Sequence, residues 1–176
     1  MYKKRGVMNK CGQLQITFKM MFSIILIIAF VAVAIYAIVL FLNINRCVSV
    51  GTLKTDLQHD VDISWNSPET DNFPFEAKLS DSVEYVCFID YDTGGRGTDA
   101  DKYDSFERLK GTNENPNNVM FWPIESVCAE LKAFKIEHLN IGEITLLHNP
   151  YCIPNRDGEV SMILSKDFRS TLVEIR

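Results

Sequence analysis

The loop between Asp90 and Asp101 has residue types and a spacing that suggest metal chemistry in this chain of 176 residues. Positions 1, 3, 6 and 12 of a calcium-loop spacing are occupied by Asp90, Asp92, Gly95 and Asp101. However, position 5 is Gly94, which has no side-chain oxygen, and position 12 is Asp where such loops have a bidentate Glu. We therefore interpret the segment as an acidic surface loop, with calcium binding as the alternative, and predict no metal site.

Motifs for catalysis are absent from the sequence. The three histidines, His59, His138 and His148, are far apart, and none belongs to a His-Glu-x-x-His motif. The sequence has no Gly-x-Ser-x-Gly, and residues 94–97 do not match a phosphate-binding Gly-x-x-x-x-Gly-Lys. We therefore predict no catalytic residues and no cofactor, and we do not expect an enzyme.

The elements that position these residues begin with an apolar segment at 20–42, which contains no charge. At ~1.5 Å per residue, a helix of this length spans roughly 34 Å, which is enough to cross a hydrocarbon layer once. Five cations and no acidic residue precede this segment: Lys3, Lys4, Arg5, Lys10 and Lys19. The first charged residue after it is Arg46. The positive-inside rule therefore predicts a cytoplasmic N-terminus and an extracytoplasmic location for residues 43–176.

The length of the apolar segment favours a signal anchor over a cleaved secretory signal peptide. The apolar core of a signal peptide is typically ~7 to 15 residues long, whereas this segment continues without interruption to Leu42. Cleavage at the small residues Ala32 to Ala34 is the alternative. We therefore predict a single-pass protein of the cell membrane.

The predicted exported part is acidic. The whole chain has a formal net charge of −5, and without the five N-terminal cations it has 13 basic and 23 acidic residues, a balance of −10. A surface of this sign repels nucleic acid and anionic lipid. We therefore exclude nucleic acid as a partner and expect a soluble extracytoplasmic part.

A short basic leader ends in Lys-Cys-Gly-Gln at 10–13, just before the apolar segment. This arrangement resembles the class III signal peptide of archaeal type IV pilins and related filament proteins, in which a basic leader is cut after Gly and the new N-terminus is often Gln. The resemblance covers residues 1–42 and implies processing between Gly12 and Gln13. Thr17 stands where that family commonly has Glu, so the resemblance implies a minor or pilin-like protein rather than a major pilin. The start is also similar to uncharacterised single-pass proteins of small-genome archaea.

Four cysteines form an even set in the predicted exported part, where disulfides persist, while Cys11 lies apart in the leader. The four disulfide candidates are Cys47, Cys87, Cys128 and Cys152. Of the three possible pairings we favour Cys87 with Cys152, because the first lies in an apolar strand and the second in a turn near other strands. Buried reduced thiols are the alternative. A zinc site is not predicted, because the spacings of 40, 41 and 24 residues contain no close Cys pair.

Residues 43–66 are predicted to form a helical stem. Apolar residues recur there every four positions among polar ones, which is typical of a helix with one apolar face; they are Leu53, Leu57, Val61 and Trp65. A helix from Gln13 to about Trp65, half in the membrane and half packed on a domain, is the architecture that the pilin resemblance implies. A kink or break near Gly51 is the alternative, since an interior Gly costs ~1 kcal/mol relative to Ala.

Residues 67–176 are predicted to form a β-rich head. Turn-type residues at 66–68 and 71–74 indicate the boundary with the stem. The segment 82–91 is rich in Val, Tyr and Phe and predicts a buried strand. One helix is predicted at 102–110, and further strands at 118–124, 134–139, 143–148, 159–165 and 171–175. A long helix followed by antiparallel strands predicts an α+β fold.

Two functions from different classes remain. The first is a pilin-like or minor subunit, or an accessory, of an archaeal-type cell-surface filament, whose N-terminal helix packs against other subunits. The alternative is a single-pass, membrane-tethered module that binds a ligand or an envelope partner. Both have the same organisation: a leader and membrane border at 1–19, a transmembrane helix at 20–42, a stem at 43–66 and a head at 67–176. A mature N-terminus at Gln13 would distinguish the first from the second.

Overall fold

The structure is a computed structural model that describes residues 11–112 and 114–176, with side chains from Phe18 onward except at Asn43. The predicted leader, residues 1–10, lies outside the described residues. The chain divides into two compact units, Met1–Leu42 and Asn43–Arg176. All of the strands belong to the second unit.

The longest element is helix α1, which extends from Cys11 to Asn66. In the first unit, every side chain of α1 from Phe18 to Leu42 is exposed, and nearly all of them are apolar. The hydroxyl of Ser23 donates to the Lys19 carbonyl at 2.9 Å, so this polar group is satisfied within the helix itself. By length and composition, α1 is the one helix among the described residues that is long and apolar enough to cross a membrane.

In the second unit, the last part of α1 forms the predicted stem, residues 43–66. One face of the stem is completely buried, at Val50, Leu53, Leu57 and Val61. The helix continues through Gly51 without a break, and the Thr55 hydroxyl donates to the Gly51 carbonyl at 3.0 Å. Burial of these four aliphatic side chains, one just before Gly51 and three in the following turns, outweighs the ~1 kcal/mol preference against an interior Gly.

The head contains two antiparallel sheets. The first has the strand order β1-β6-β7 and the second the order β4-β3-β2-β5. The strands are β1 (Thr70–Lys78), β2 (Tyr85–Phe88), β3 (Val119–Trp122), β4 (Ala133–Phe134), β5 (Tyr151–Pro154), β6 (Glu159–Lys166) and β7 (Glu174–Ile175). Two short helices, α2 (Tyr103–Glu107) and α3 (Ile141–Ile144), lie in the connections. The predicted order of a long apolar helix followed by antiparallel strands, an α+β arrangement, is confirmed.

Four local predictions in the head are wrong. Of the strand predicted at 134–139, only Phe134 lies in a strand, β4, and Leu139 forms an isolated bridge. Residues 143–148 are not a strand, because Asn140 caps the turn α3 by accepting a hydrogen bond from Glu143 N. The loop predicted at 71–74 lies within β1, and the turn predicted around Cys152 lies in β5. Both β1 and β5 are edge strands, where a proline is tolerated because one side of the strand needs no hydrogen-bond donors.

The strands β2 and β3 are buried on both faces. Val86 and Phe88 point into the larger core, which also contains the buried face of the stem. The alternate residue Cys87 points to the opposite side, where it packs with Met120 and Phe106. This two-sided burial explains why the sequence of β2 is continuously apolar rather than alternating.

Candidate functional site

A segment of the head, Cys128–His138, follows the stem along its length, and we call it the strap. At its start, Cys128 forms a disulfide with Cys47 of the stem. One helical turn further on, Leu131 Cδ1 lies 3.8 Å from the position that a Cβ on Gly51 would occupy. Leu131 of the strap therefore packs beside Gly51, at a distance that is an ordinary van der Waals contact.

Midway along the strap, two further contacts connect it to successive turns of the stem. Lys54 Nζ lies 5.4 Å from the centroid of the Phe134 ring, a distance typical of a cation–π interaction. Gln58 Oε1 accepts a hydrogen bond of 2.9 Å from the backbone N–H of Glu137. The strap and the stem therefore run in the same direction, and successive residues of the strap contact successive turns of the helix.

The strap ends at His138, which stacks on the stem. The rings of His138 and Trp65 have centroids 3.8 Å apart and planes at 8°. His138 Nε2 also lies 3.9 Å from Asp62 Oδ1, and the residue has a positive φ of 66°. With this left-handed backbone conformation, the His138 side chain lies on the helix. His138 therefore contributes to the contact between the strap and the stem.

The C-terminal end of the stem is held by the head as well. Lys166 Nζ donates to the backbone carbonyls of Trp65 and Ser67 at 2.6 and 2.7 Å. Trp65 Nε1 donates to the carbonyl of Thr171 at 3.0 Å. A cation that satisfies the last carbonyls of a helix also interacts favourably with the helix dipole, which fixes the end of α1.

The four cysteines of the second unit are paired in two disulfides. Cys87 and Cys152 stand directly opposite each other in the register of β2 and β5, with Cα atoms 4.0 Å apart. Cys47 and Cys128 have Cα atoms 5.4 Å apart. The structure thus contains the pairing that the sequence favours, and the second pair joins the stem to the strap.

The predicted processing residues lie at the start of α1. Gly12 and Gln13 follow Cys11, the first residue of the helix. The side chains of these three residues lie outside the described part of the chain. A cut between Gly12 and Gln13 stays a prediction.

The acidic loop at 90–101 is organised by a buried amide that the sequence did not indicate. Asn149 is completely buried, and its Nδ2 donates to the carbonyls of Asp90 and Gly94 at 2.6 and 2.8 Å. Its Oδ1 accepts from Asp90 N at 3.0 Å. Within residues 11–112 and 114–176, no group of three or more His, Cys, Asp or Glu side chains is placed to hold a metal ion. The side-chain amide of Asn149 therefore holds the turn at residues 90–94, where the alternative interpretation expected a calcium ion.

The three histidines have different surroundings. His59 is exposed on the stem, and His138 stacks on Trp65. His148 Nδ1 accepts a hydrogen bond of 3.3 Å from the backbone N–H of Thr98. The three histidines thus lie in separate surroundings and do not form one site.

A buried ion pair lies beside α2, and no sequence motif indicates it. Lys102 Nζ is 2.6 Å from Asp99 Oδ1, and the two side chains are only 12% and 20% exposed. The same Nζ lies 5.4 and 5.7 Å from the ring centroids of Tyr85 and Trp122. Burial opposes the charge of Lys102, but the hydrogen bond and charge of Asp99 outweigh it and raise the pKa of the ammonium group.

A cleft of about 550 Å³ lies between the strap and the acidic loop. Apolar residues such as Ile89 and Ile136 line it, together with the polar residues Asp90, Tyr91, Asp92, Lys110, Lys135, Glu137 and His138. Lys135 and Glu137 form an ion pair of 2.8 Å, and Lys110 Nζ lies 5.2 Å from the centroid of the Tyr91 ring. A concave site that combines an apolar surface with donors and acceptors suits a small polar ligand.

No protein-family model, curated protein or solved structure matches this chain. The function is therefore argued from the residues and elements described above.

Proposed function

We propose that the chain is a pilin-like or minor subunit, or an accessory, of an archaeal-type cell-surface filament. In this proposal, residues 20–42 lie in the membrane and the N-terminus lies in the cytoplasm. The second unit lies outside the cell, and the N-terminal helix packs against other subunits.

The observation that supports this proposal most is the uninterrupted helix α1. Over Phe18–Leu42 it exposes apolar side chains on every side, as a helix in contact with lipid or with other apolar helices does. Over its last turns it buries one face in the core of the head. A single helix that serves both environments is what the resemblance of the N-terminal segment to pilins implies.

The two disulfides support an extracytoplasmic location of the head. Disulfides form and persist in oxidising compartments and are rare where cellular thiols are kept reduced. All four bonded cysteines belong to the unit that follows the apolar segment. This agrees with the orientation that the cations of the leader predict.

Processing of the leader tests the proposal directly. We expect the mature protein purified from its native host to begin at Gln13. Gly12→Val should leave the leader attached, because a β-branched side chain at the cut site crowds the peptidase. Intact-mass measurement and N-terminal sequencing distinguish the two forms.

The matched control for this experiment is Gly6→Val, which makes the same substitution within the leader but away from the cut site. This variant should still be processed to Gln13. A native protein that keeps its leader would contradict the filament proposal and leave the alternative.

The alternative is a membrane-tethered binding module, and the cleft beside the strap favours it. An anchored head needs no contact between subunits, and the cleft offers a binding surface of mixed polarity. In this case Gly12→Val is silent, because Gly12 lies before the apolar segment and contributes nothing to membrane insertion.

A further inference from the structure

The outer edge of β1 is exposed. β1 is the first strand of its sheet and pairs with β6 on one side. Phe73, Phe75 and Ala77 face the core, whereas Pro74, Glu76 and Lys78 are exposed. Among the strands that the structure describes, none pairs with the outer side of β1.

The register with β6 identifies the backbone groups on this outer edge. Leu79 N donates to Gly158 O at 2.9 Å, in the same register as the rest of the β1–β6 ladder. Hydrogen-bonded pairs alternate along an antiparallel ladder, so the odd-numbered residues of β1 bond to β6. The even-numbered residues therefore direct their backbone groups outward. They supply N–H and C=O groups at Glu76 and Lys78 and a C=O group alone at Pro74.

One register brings the charges on this edge into complementary pairs. Suppose that a second copy of the chain pairs its β1 antiparallel to the outer edge of this β1, with the twofold axis at Ala77. Glu76 of each copy then stands opposite Lys78 of the other. Cross-strand pairs of opposite charge stabilise a sheet. In the described part of the chain, neither side chain takes part in a salt bridge. Lys78 stands opposite Glu159 of β6 without forming a salt bridge with it, so both Glu76 and Lys78 can pair across the axis.

The same register accommodates the proline. Pro74 then stands opposite Ser80 of the second copy, and it has no N–H to donate. The Ser80 carbonyl already accepts hydrogen bonds from Val83 N at 2.9 Å and Asn155 Nδ2 at 3.0 Å. The missing donor of Pro74 therefore leaves no acceptor unsatisfied at this position.

Neighbouring registers are unfavourable. An axis at Glu76 places two carboxylates directly opposite each other, and an axis at Lys78 places two ammonium groups opposite each other. An axis at Phe75 places Pro74 opposite Glu76, whose carbonyl then receives no donor from the proline. Proline and charges on an edge strand commonly prevent pairing, and here they exclude the registers on either side of Ala77.

We propose that two copies of this chain associate by pairing their β1 strands antiparallel about Ala77. Such a twofold contact closes on itself, so it does not by itself extend a filament. The proposal is independent of leader processing, and each can fail without the other.

Charge reversal tests the pairing in the full chain in detergent micelles. The dissociation constant of the dimer is measured by sedimentation over a range of protein concentrations. Glu76→Lys alone and Lys78→Glu alone each place like charges opposite one another, and we expect each to raise the dissociation constant about tenfold or more. The double variant Glu76→Lys with Lys78→Glu should restore the dimer, because both pairs form again with their signs exchanged.

The matched control is Glu69→Lys, which makes the same charge change at an exposed residue just before β1. It should leave the dissociation constant unchanged. A chain that is monomeric throughout, a dimer unaffected by the single reversals, or a double variant that stays monomeric would each overturn the proposal.

A crosslink provides a second measurement that does not depend on the charges. Ala77 stands opposite itself in a non-hydrogen-bonded pair, where Cα atoms are about 4.5 Å apart. In a Cys11→Ser background, Ala77→Cys should therefore form a covalent dimer on mild oxidation. Ser161→Cys, at an exposed position of the neighbouring strand β6, should stay monomeric. Equal crosslinking of the two variants, or none in either, contradicts the register.

Discussion

At the scale of single residues, the head depends on polar groups that are buried or largely buried beside their partners. Asn149 holds a loop that begins at Asp90, far away in sequence, and Lys102 lies between Asp99, three residues earlier, and two aromatic rings that are distant in sequence. Each of these groups is costly to bury alone and acceptable only with its partners in place. The loops of the head are therefore specified by a few polar contacts as well as by apolar burial.

The half-buried tyrosine of the cleft, Tyr91, leads to a prediction about alkaline pH. Burial, with smaller contributions from the charges of Tyr103 and Glu107, raises the pKa of Tyr91 well above its ordinary value of 10.0. Above pH 10 the unfolded chain therefore loses this proton before the folded chain does, and the stability that depends on it is lost as pH rises. We expect the free energy of unfolding to fall above pH 10, by up to about 1.4 kcal/mol per pH unit for one such group.

Tyr91→Phe should make this decline shallower, because the substitution removes the proton concerned. The measurement is urea unfolding of the full chain in micelles between pH 8 and 11. Tyr36→Phe, in the apolar part of α1, should leave the decline unchanged because this residue is not part of the folded head. Equal slopes for the wild type and Tyr91→Phe would show that Tyr91 does not titrate differently in the folded state.

At the scale of elements, the stem and the strap are connected at several points along their length. Their contacts include a disulfide, the packing of Leu131 near Gly51, a hydrogen bond at Gln58 and a stacked pair at Trp65. These contacts occur along the helix from Cys47 to Trp65, so the strap supports the stem over its whole length. This support explains why the helix stays continuous where its sequence permits a break.

The disulfides lead to a prediction about thiol reactivity. In unfolded but unreduced protein that still carries its leader, we expect four cysteines, Cys47, Cys87, Cys128 and Cys152, to resist alkylation until a reductant is added, while Cys11 reacts at once. The pair Cys87 and Cys152 closes a loop with a sequence separation of 65. In the chain-entropy model, a loop of this size contributes on the order of 4 kcal/mol to stability. Mass spectrometry of the alkylated protein counts the modified thiols.

Two double variants serve as matched controls for this prediction. Cys47→Ser with Cys128→Ser should leave two protected cysteines, and Cys87→Ser with Cys152→Ser should leave the other two. Immediate alkylation of all five cysteines in the unfolded, unreduced wild type would contradict both disulfides.

At the scale of the whole molecule, the two units differ in what they expose. The first exposes apolar side chains from Phe18 to Leu42, which is costly in water and favourable in lipid. The second is a β-rich head with an apolar core and two disulfides. The chemistry of each unit suits a different environment, and this difference supports a single-pass anchor with an exported head.

Protease accessibility tests this organisation in intact cells. A protease added from outside should digest the head and leave a small N-terminal fragment that includes residues 20–42. The basis is the excess of cations before the apolar segment, which favours a cytoplasmic N-terminus. The measurement is immunoblotting with an N-terminal tag on the Gly12→Val variant, which is expected to keep its leader. Lysed cells are the control, because there the protease also reaches the cytoplasmic side of the membrane. Protection of the entire chain in intact cells would contradict the orientation.

Much of this fold follows from the sequence by itself, because the signals are local. The apolar segment needs only its own composition to predict a helix long enough to cross a membrane. The stem follows from a four-residue apolar repeat, and β2 and β3 from short runs of β-branched and aromatic residues. The strands β1 and β5 were missed because prolines in β1 and beside β5 indicate turns locally, while edge position makes them acceptable in a sheet.

Other features were decided only by the tertiary structure, because they depend on partners far apart in the chain. The second disulfide, the strap, the amide of Asn149 and the two aromatic rings beside Lys102 all require non-local contacts that no local pattern encodes. The same holds for the cleft and for the free edge of β1, which exist only once the strands have an order in their sheets. Local composition thus determined which segments become helix and strand, whereas packing determined which side chains meet, since the energy of a buried polar group depends on the partner that folding places beside it.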